Sequence, residues 1–258
     1  MDYKDLFESV FDNATEDELS CFLRNPSVPF EYCKRALKLR GERGIGWRNR
    51  LVIALRKDCP VDVLVRLCKI DSEKFAQNLL ALNDFLPDEA IRALYHRKRN
   101  VYSLSCYWRL PEDVKRDIFM SYLNLDANGL VSGYDEALGS FLAHQVSLPD
   151  DCWKLMDGVI DVFRNRSSER GWYMRVNIVE IVRPMQAPLD DEYALQVIAD
   201  TRHNGCWKML QMAANPSVSD YVMMELRMKV DDAVLLSKIN ALLDENENAR
   251  QEYRRTHP

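Results

Sequence analysis

Glycine is scarce in this chain, with 9 residues in 258, about half the usual share. That shortage disfavours turn-dense β architectures, Gly-rich phosphate loops and collagenous sequence. No GxSxG, P-loop or HExxH motif occurs, so the common hydrolase, nucleotide and zinc-protease signatures are missing. The seven cysteines (21, 33, 59, 68, 106, 152 and 206) are odd in number, widely spaced and free of any CxxC pair. Reduced thiols are expected from this, and neither a disulfide framework nor a zinc knuckle. No apolar run approaches the roughly 20 residues of a membrane span. The first twelve residues carry Asp2, Asp5, Glu8 and Asp12 against Lys4 alone, without the basic start and apolar core of a secretion signal. A cytoplasmic protein is predicted, with no membrane association, no cofactor and no small-molecule substrate.

What the chain does contain is 47% hydrophobic and 29% charged residues with a formal charge of −5. A compact chain of this length buries about 70–75% of its unfolded surface, so stability needs neither disulfide nor metal. The hydrophobic residues are patterned. Apolar anchors precede proline at Val28-Pro29, Cys59-Pro60, Leu86-Pro87, Leu110-Pro111 and Leu148-Pro149, and similar anchors without proline stand at Leu189 and Val218. Four, five, eight and nine positions later come Tyr32, Cys33, Ala36 and Leu37; Val63, Leu64, Leu67 and Cys68; Ala90, Ile91, Leu94 and Tyr95. The fourth copy, Val114, Lys115, Ile118 and Phe119, has one polar exception. These spacings lay a single apolar stripe along a helix.

Proline fixes φ and has no N–H to lose, so it suits the first helical position. Acidic residues follow in LPDEA, LPEDV and LPDDC, at the positive end of the helix dipole. The apolar anchor is placed to staple the first turn. Further helical stretches fall between these starts: Trp47 to Arg56, Glu73 to Leu82, Val101 to Trp108, Tyr134 to His144, Trp172 to Val182 and Cys206 to Ala213. The junction Leu23-Arg-Asn-Pro-Ser-Val28 recurs as Ala213-Ala-Asn-Pro-Ser-Val218, and the anchors are 31, 27, 24, 38, 41 and 29 residues apart. A repeating unit of helix, tight polar turn and helix is expected. Val230 to Arg255 reads as one longer helix with a polar end.

The motif in LRNPSVPFEYCKRAL, an Asn-Pro-x-x-Pro turn ahead of an amphipathic helix, resembles the leucine-rich repeat variant, a relative of HEAT and armadillo repeats. Residues 16 to 96 and 205 to 228 carry the likeness. It implies an all-α, right-handed α-α superhelix, a solenoid of about seven irregular helical repeats that presents a surface to a partner. The expected layout is a single elongated domain over 1–258: an N-terminal cap at 1–23, repeats at 24–229, and a C-terminal capping helix and tail at 230–258. An iron–sulfur module accompanies at least one relative, and no cysteine cluster here would carry one.

The net charge conceals a strong asymmetry. Residues 1–33 sum to −6, 34–57 to +8, 58–99 to zero and 100–258 to −7. The basic block and the run His96-Arg-Lys-Arg99 nominate Arg43, Trp47, Arg48, Arg50, Arg56, Lys57, Arg97, Lys98 and Arg99 as a partner-binding set. Stacked repeats would bring these segments together along one edge. Cations also gather at helix C-termini for the dipole alone, so both readings stand. The functional expectation is a non-catalytic scaffold that binds a protein partner, acidic if the block is its site. The alternative is a nucleic-acid-binding module similar to HEAT-like DNA glycosylases, which would need a continuous basic channel with aromatics and a buried carboxylate.

Asn124 to Asp135 imitates a calcium loop, but Asn at its first position and Asp at its last favour a plain Asn-Gly turn between helices. Cys33, Cys59, Cys68 and Cys152 fall on stripe or staple positions and read as core. His203 and Cys206 lack a matching second pair of metal ligands. Met209, Met212, Met223, Met224 and Met228 read either as core filling or as an adaptable groove.

Overall fold

The computed structural model describes residues 3–39, 44–97, 101–167, 177–200 and 205–257. Seventeen α-helices and one β-hairpin form among these residues, and the chain divides into two compact units, Met1–Leu104 and Ser105–Pro258. The first unit contains α1 (Tyr3–Asn13), α2 (Glu16–Arg24), α3 (Phe30–Ala36), α4 (Trp47–Ala54), α5 (Val61–Ile70), α6 (Glu73–Leu82) and α7 (Asp88–Tyr95), and ends at α8 (Val101–Ser105). Helices pack on their second neighbours: α2 on α4, α4 on α6, and α5 on α7. Each is too short to bury its stripe alone, and stacking on the helix two places along covers it.

The second unit holds α9 (Glu112–Ser121), β1 (Leu123–Leu125), β2 (Val131–Tyr134), α10 (Ala137–His144), α11 (Asp150–Ser167) and α12 (Ile178–Val182), then a 3-10 turn at Arg183–Met185. It continues with α13 (Asp191–Ala199), α14 (Gly205–Ala214), α15 (Asp220–Lys229), α16 (Ala233–Glu245) and α17 (Glu247–Thr256). The alternation recurs, with α9 on α11, α10 on α12, α13 on α15, and α14 on α16.

The repeated helix starts take one geometry. Pro29, Pro60, Pro87 and Pro111 occupy the N-cap with φ between −54 and −66° and ψ between 137 and 148°, one position earlier than the first-turn placement expected. Pro60, Pro87 and Pro111 each accept the first intrahelical bond through the carbonyl, from Leu64, Ile91 and Lys115. Where proline is absent a side chain caps instead: Asp190 accepts from the Glu192 and Tyr193 amides, and Ser219 from Val222. The anchors Val28, Leu86, Leu110, Leu148, Leu189 and Val218 are all buried.

The two Asn-Pro-Ser-Val junctions are equivalent at atomic level. Asn25 Oδ1 accepts from the Ser27 amide at 2.9 Å, and Asn215 Oδ1 from the Ser217 amide at 2.9 Å. The Val28 and Val218 amides return to the Asn25 and Asn215 carbonyls at 3.1 and 3.2 Å. One short sequence thus builds one turn in both units.

Three expectations are corrected. The Asn124–Asp135 segment contributes to an antiparallel hairpin rather than a helix-to-helix turn, and Tyr134 belongs to β2. Asp126 Oδ1 accepts from the Asn128 and Leu130 amides, and Gly129 supplies the φ of +77° that the tight turn requires,. On α11, Gly158 leaves room for the Val131 side chain, 3.1 Å from where a Cβ would stand. Val101–Trp108 is helical only to Ser105. The long C-terminal helix is interrupted at Asn246, where Arg250, 2% exposed, turns back to donate to the Leu243 carbonyl and to Glu247.

Candidate functional site

Arg56 lies just beyond α4 and is folded into the first unit at 9% exposure. Its guanidinium donates to the carbonyls of Leu23 (3.0 Å), Asn25 (2.8 Å) and Val28 (2.8 Å), and to both oxygens of Asp58 at 2.7 Å. Five donors in a planar fork suit this task. The hydrogen bond to Asp58 raises the Arg56 pKa and lowers that of Asp58, so both stay ionised. Arg56 therefore closes the Asn25-Pro26 junction from the C-terminal end of α4. Its nomination as a partner-binding residue is corrected: its donors are spent within the fold.

Arg50 and Arg97 converge on Asp71, which joins α5 to α6. Arg50 grips the Asp71 carboxylate through Nε and through Nη2 (3.1 Å), and its Nη1 donates to the Ile45 carbonyl at 2.5 Å. Arg97 donates to the Asp71 main-chain carbonyl. The Asp71 side chain is 1% exposed and also accepts from the Ser72 amide. The segments around 50 and 97 do meet, and the contact is a structural clasp. Buried Asp71 neutralises Arg50 while Arg50 remains 30% exposed.

Beside this clasp opens a cleft of about 530 Å³, within the range of about 300–1,000 Å³ typical of ligand sites. Leu37, Ile45 and Leu67 make its buried floor, and Leu39 and Ile70 its apolar margin. Ile70 is 62% exposed. Arg50 and Arg66 supply the polar part, and among the described residues the lining holds no acidic or aromatic side chain. Arg66 and Ile70, one turn apart on α5, lie off the stripe of Val63, Leu64, Leu67 and Cys68 that faces the core. Arg66 is exposed and forms no ion pair among the described residues. An apolar residue outside the buried stripe was the available signal for this site, and the charge count alone passes over it.

Of the other nominated residues, Arg48 is exposed with its guanidinium 5.8 Å from the centre of the half-buried Trp47 ring, and Lys57 is exposed. Arg43, Lys98 and Arg99 lie outside the described residues, as do Trp172 and His203. Burial pushes the thiols of Cys33 and Cys152 up to about 11 and those of Cys59 and Cys68 up to about 12. They stay protonated and act as core, not as nucleophiles. No group of three or more His, Cys, Asp or Glu side chains among the described residues is arranged to hold a metal. The methionines divide: Met209 and Met212 are buried, Met223 packs against the second unit's core, and Met224 and Met228 are exposed with Tyr221. No helix among the described residues is long and apolar enough to cross a membrane.

The polar exception in the fourth stripe is a buried amine. Lys115 is 4% exposed, donates to Ser147 Oγ at 3.2 Å, and desolvation draws its pKa down from 10.5 to about 8. Glu112 and the buried, protonated Cys152 thiol are its electrostatic neighbours.

No family model, curated protein or solved structure matches the chain.

Proposed function

We propose that this chain is a non-catalytic helical-repeat scaffold of the kind the leucine-rich repeat variant and HEAT repeats represent, its helix pairs wound as a right-handed solenoid, and that it binds an acidic protein partner through the cationic surface of its first unit. The observation that carries the reading is the cleft beside the Arg50–Asp71 clasp, which combines an apolar floor with Arg66, a cation that has no ion pair and no acidic lining neighbour among the described residues. Second-neighbour helix packing and the equivalent Asn-Pro-Ser-Val junctions support the repeat architecture. Exposed Lys38, Arg48, Lys57 and Lys69 add positive charge around the same unit, which would steer an acidic partner. The absence of aromatics among the described lining residues weighs against a single-stranded nucleic acid, because single strands bind by stacking on aromatic platforms,.

The test is capture from the native cell with the whole chain and with an Arg48→Glu/Lys57→Glu/Arg66→Glu variant, alongside binding to duplex and single-stranded nucleic acid across a salt series. The reading expects a protein recovered by the unaltered chain and lost with the variant. Nucleic-acid affinity falling steeply with salt, with no protein recovered, would replace it with the alternative.

A further inference from the structure

The cleft is specific about chemistry. Its floor, Leu37, Ile45 and Leu67, is aliphatic and buried, and Ile70 extends that surface outward as a margin that is 62% exposed. A purely charged ligand would leave this apolar surface unused. The cation is equally placed: Arg50 is held by Asp71 and the Ile45 carbonyl, whereas Arg66, one turn before Ile70 on α5, keeps its guanidinium for solvent. Lys38 stands between two lining residues and Lys69 directly beside a third, and both are exposed. The complement of an aliphatic floor under a cationic margin is an aliphatic side chain flanked by carboxylates.

We infer that the cleft receives a short acidic segment of a protein partner, seating one aliphatic side chain against Leu37, Ile45 and Ile70 and a neighbouring carboxylate on Arg66. This rests on the scaffold reading above and names the ligand for it. Arg66 is the reader of charge, since a guanidinium matches a carboxylate with two parallel hydrogen bonds. Arg50 is a positioning residue: clasped to Asp71, it fixes the start of α4 and holds Ile45 in the floor through its bond to that carbonyl. The Arg50–Asp71 clasp thereby fixes one wall of the cleft, and a disordered acidic segment would be ordered on binding,.

The experiment measures fluorescence anisotropy of labelled peptides with the full chain. The probes are an Asp/Glu peptide with one central Leu, its Asn/Gln counterpart, the same acidic peptide with Gly for Leu, and a thymidine oligonucleotide. The acidic Leu peptide should bind, and removing either its carboxylates or its Leu should weaken binding by about tenfold or more, a change of about 1.4 kcal/mol. Arg66→Glu and Ile70→Asp should each do the same, while Lys74→Glu, on α6 and outside the cleft, should not. Both test positions are solvent-exposed, and unchanged thermal unfolding of the variants shows that the fold is kept. Equal binding of the Gly peptide, or of the oligonucleotide, overturns the inference. Binding that ignores Arg66→Glu and Ile70→Asp but falls with Lys57→Glu overturns the cleft while leaving the scaffold reading standing. Failure of every peptide, when capture from cells does recover a protein, overturns the ligand assignment alone.

Discussion

Replacing Lys115 with methionine should make the second unit more stable at neutral pH, by an amount that disappears in alkali. The amine sits on α9 at a position that its stripe assigns to the core, between Val114 and Ile118 on the buried face. One hydrogen bond, to Ser147, meets it. Glu112 raises its pKa, as would a Cys152 thiolate, but that thiol is itself held protonated, with a pKa of about 11. The nearby Arg116–Asp151 pair is closed on itself. Desolvation therefore wins, and the pKa falls from 10.5 to about 8. The folded state binds this proton less tightly than the unfolded chain does. Its penalty is full below pH 8 and is relieved as the pH rises toward 10.5,. At about 1.36 kcal/mol per unit the penalty is about 3 kcal/mol at pH 7 and about 2 kcal/mol at pH 9. Methionine keeps the unbranched stem and discards the charge. Urea unfolding followed by tryptophan fluorescence reads the second unit, since four of the five tryptophans lie beyond Leu104. Lys115→Met should gain about 3 kcal/mol at pH 7 and almost nothing near pH 10.5. A loss of stability at pH 7, or a gain independent of pH, would show that burial of the charged amine does not carry this cost.

Arg56→Met should destabilise the first unit by about 3–5 kcal/mol in urea unfolding, because three carbonyls and Asp58 lose their donor together. Arg56→Lys should recover little of this, since one ammonium does not span the fork. Gly129→Ala should cost the hairpin about 1 kcal/mol through its left-handed backbone alone, as open space surrounds the position,; thermal unfolding should show it as a small drop in midpoint. Iodoacetamide at pH 8 should modify exposed Cys21 and Cys206 and spare Cys33, Cys59, Cys68 and Cys152 in the native protein,, as read by peptide mass spectrometry before and after denaturation.

Local periodicity made much of the architecture legible. Glu73 to Leu82 is a helix over just those residues, and the stripes of α5, α9 and α13 are buried as their spacing requires, as is that of α7 apart from the half-buried Tyr95. The hairpin escaped because strands of three and four residues carry no period, and a single Asn-Gly turn serves helices and strands alike,. The break at Asn246 escaped because a polar stretch conceals the buried Arg250. The basic block was visible as charge, but its division of labour was not. Arg50 meets Asp71 across 21 residues and Arg56 meets Leu23 across 33, and such pairings belong to tertiary structure. Once Arg50, Arg56 and Arg97 are assigned to the fold, Arg66 remains as the cation at the cleft, from a segment whose net charge drew no notice.

An acidic, aliphatic segment seated in the cleft of the first unit would touch Ile45 and Ile70, so the decisive measurement is a titration of the acidic Leu peptide into the chain labelled at isoleucine methyl groups. Saturable shifts at Ile45 and Ile70, with Ile178 and Ile239 of the second unit unmoved, are the predicted result. Shifts confined to the second unit, or the same shifts produced by the oligonucleotide, would contradict it.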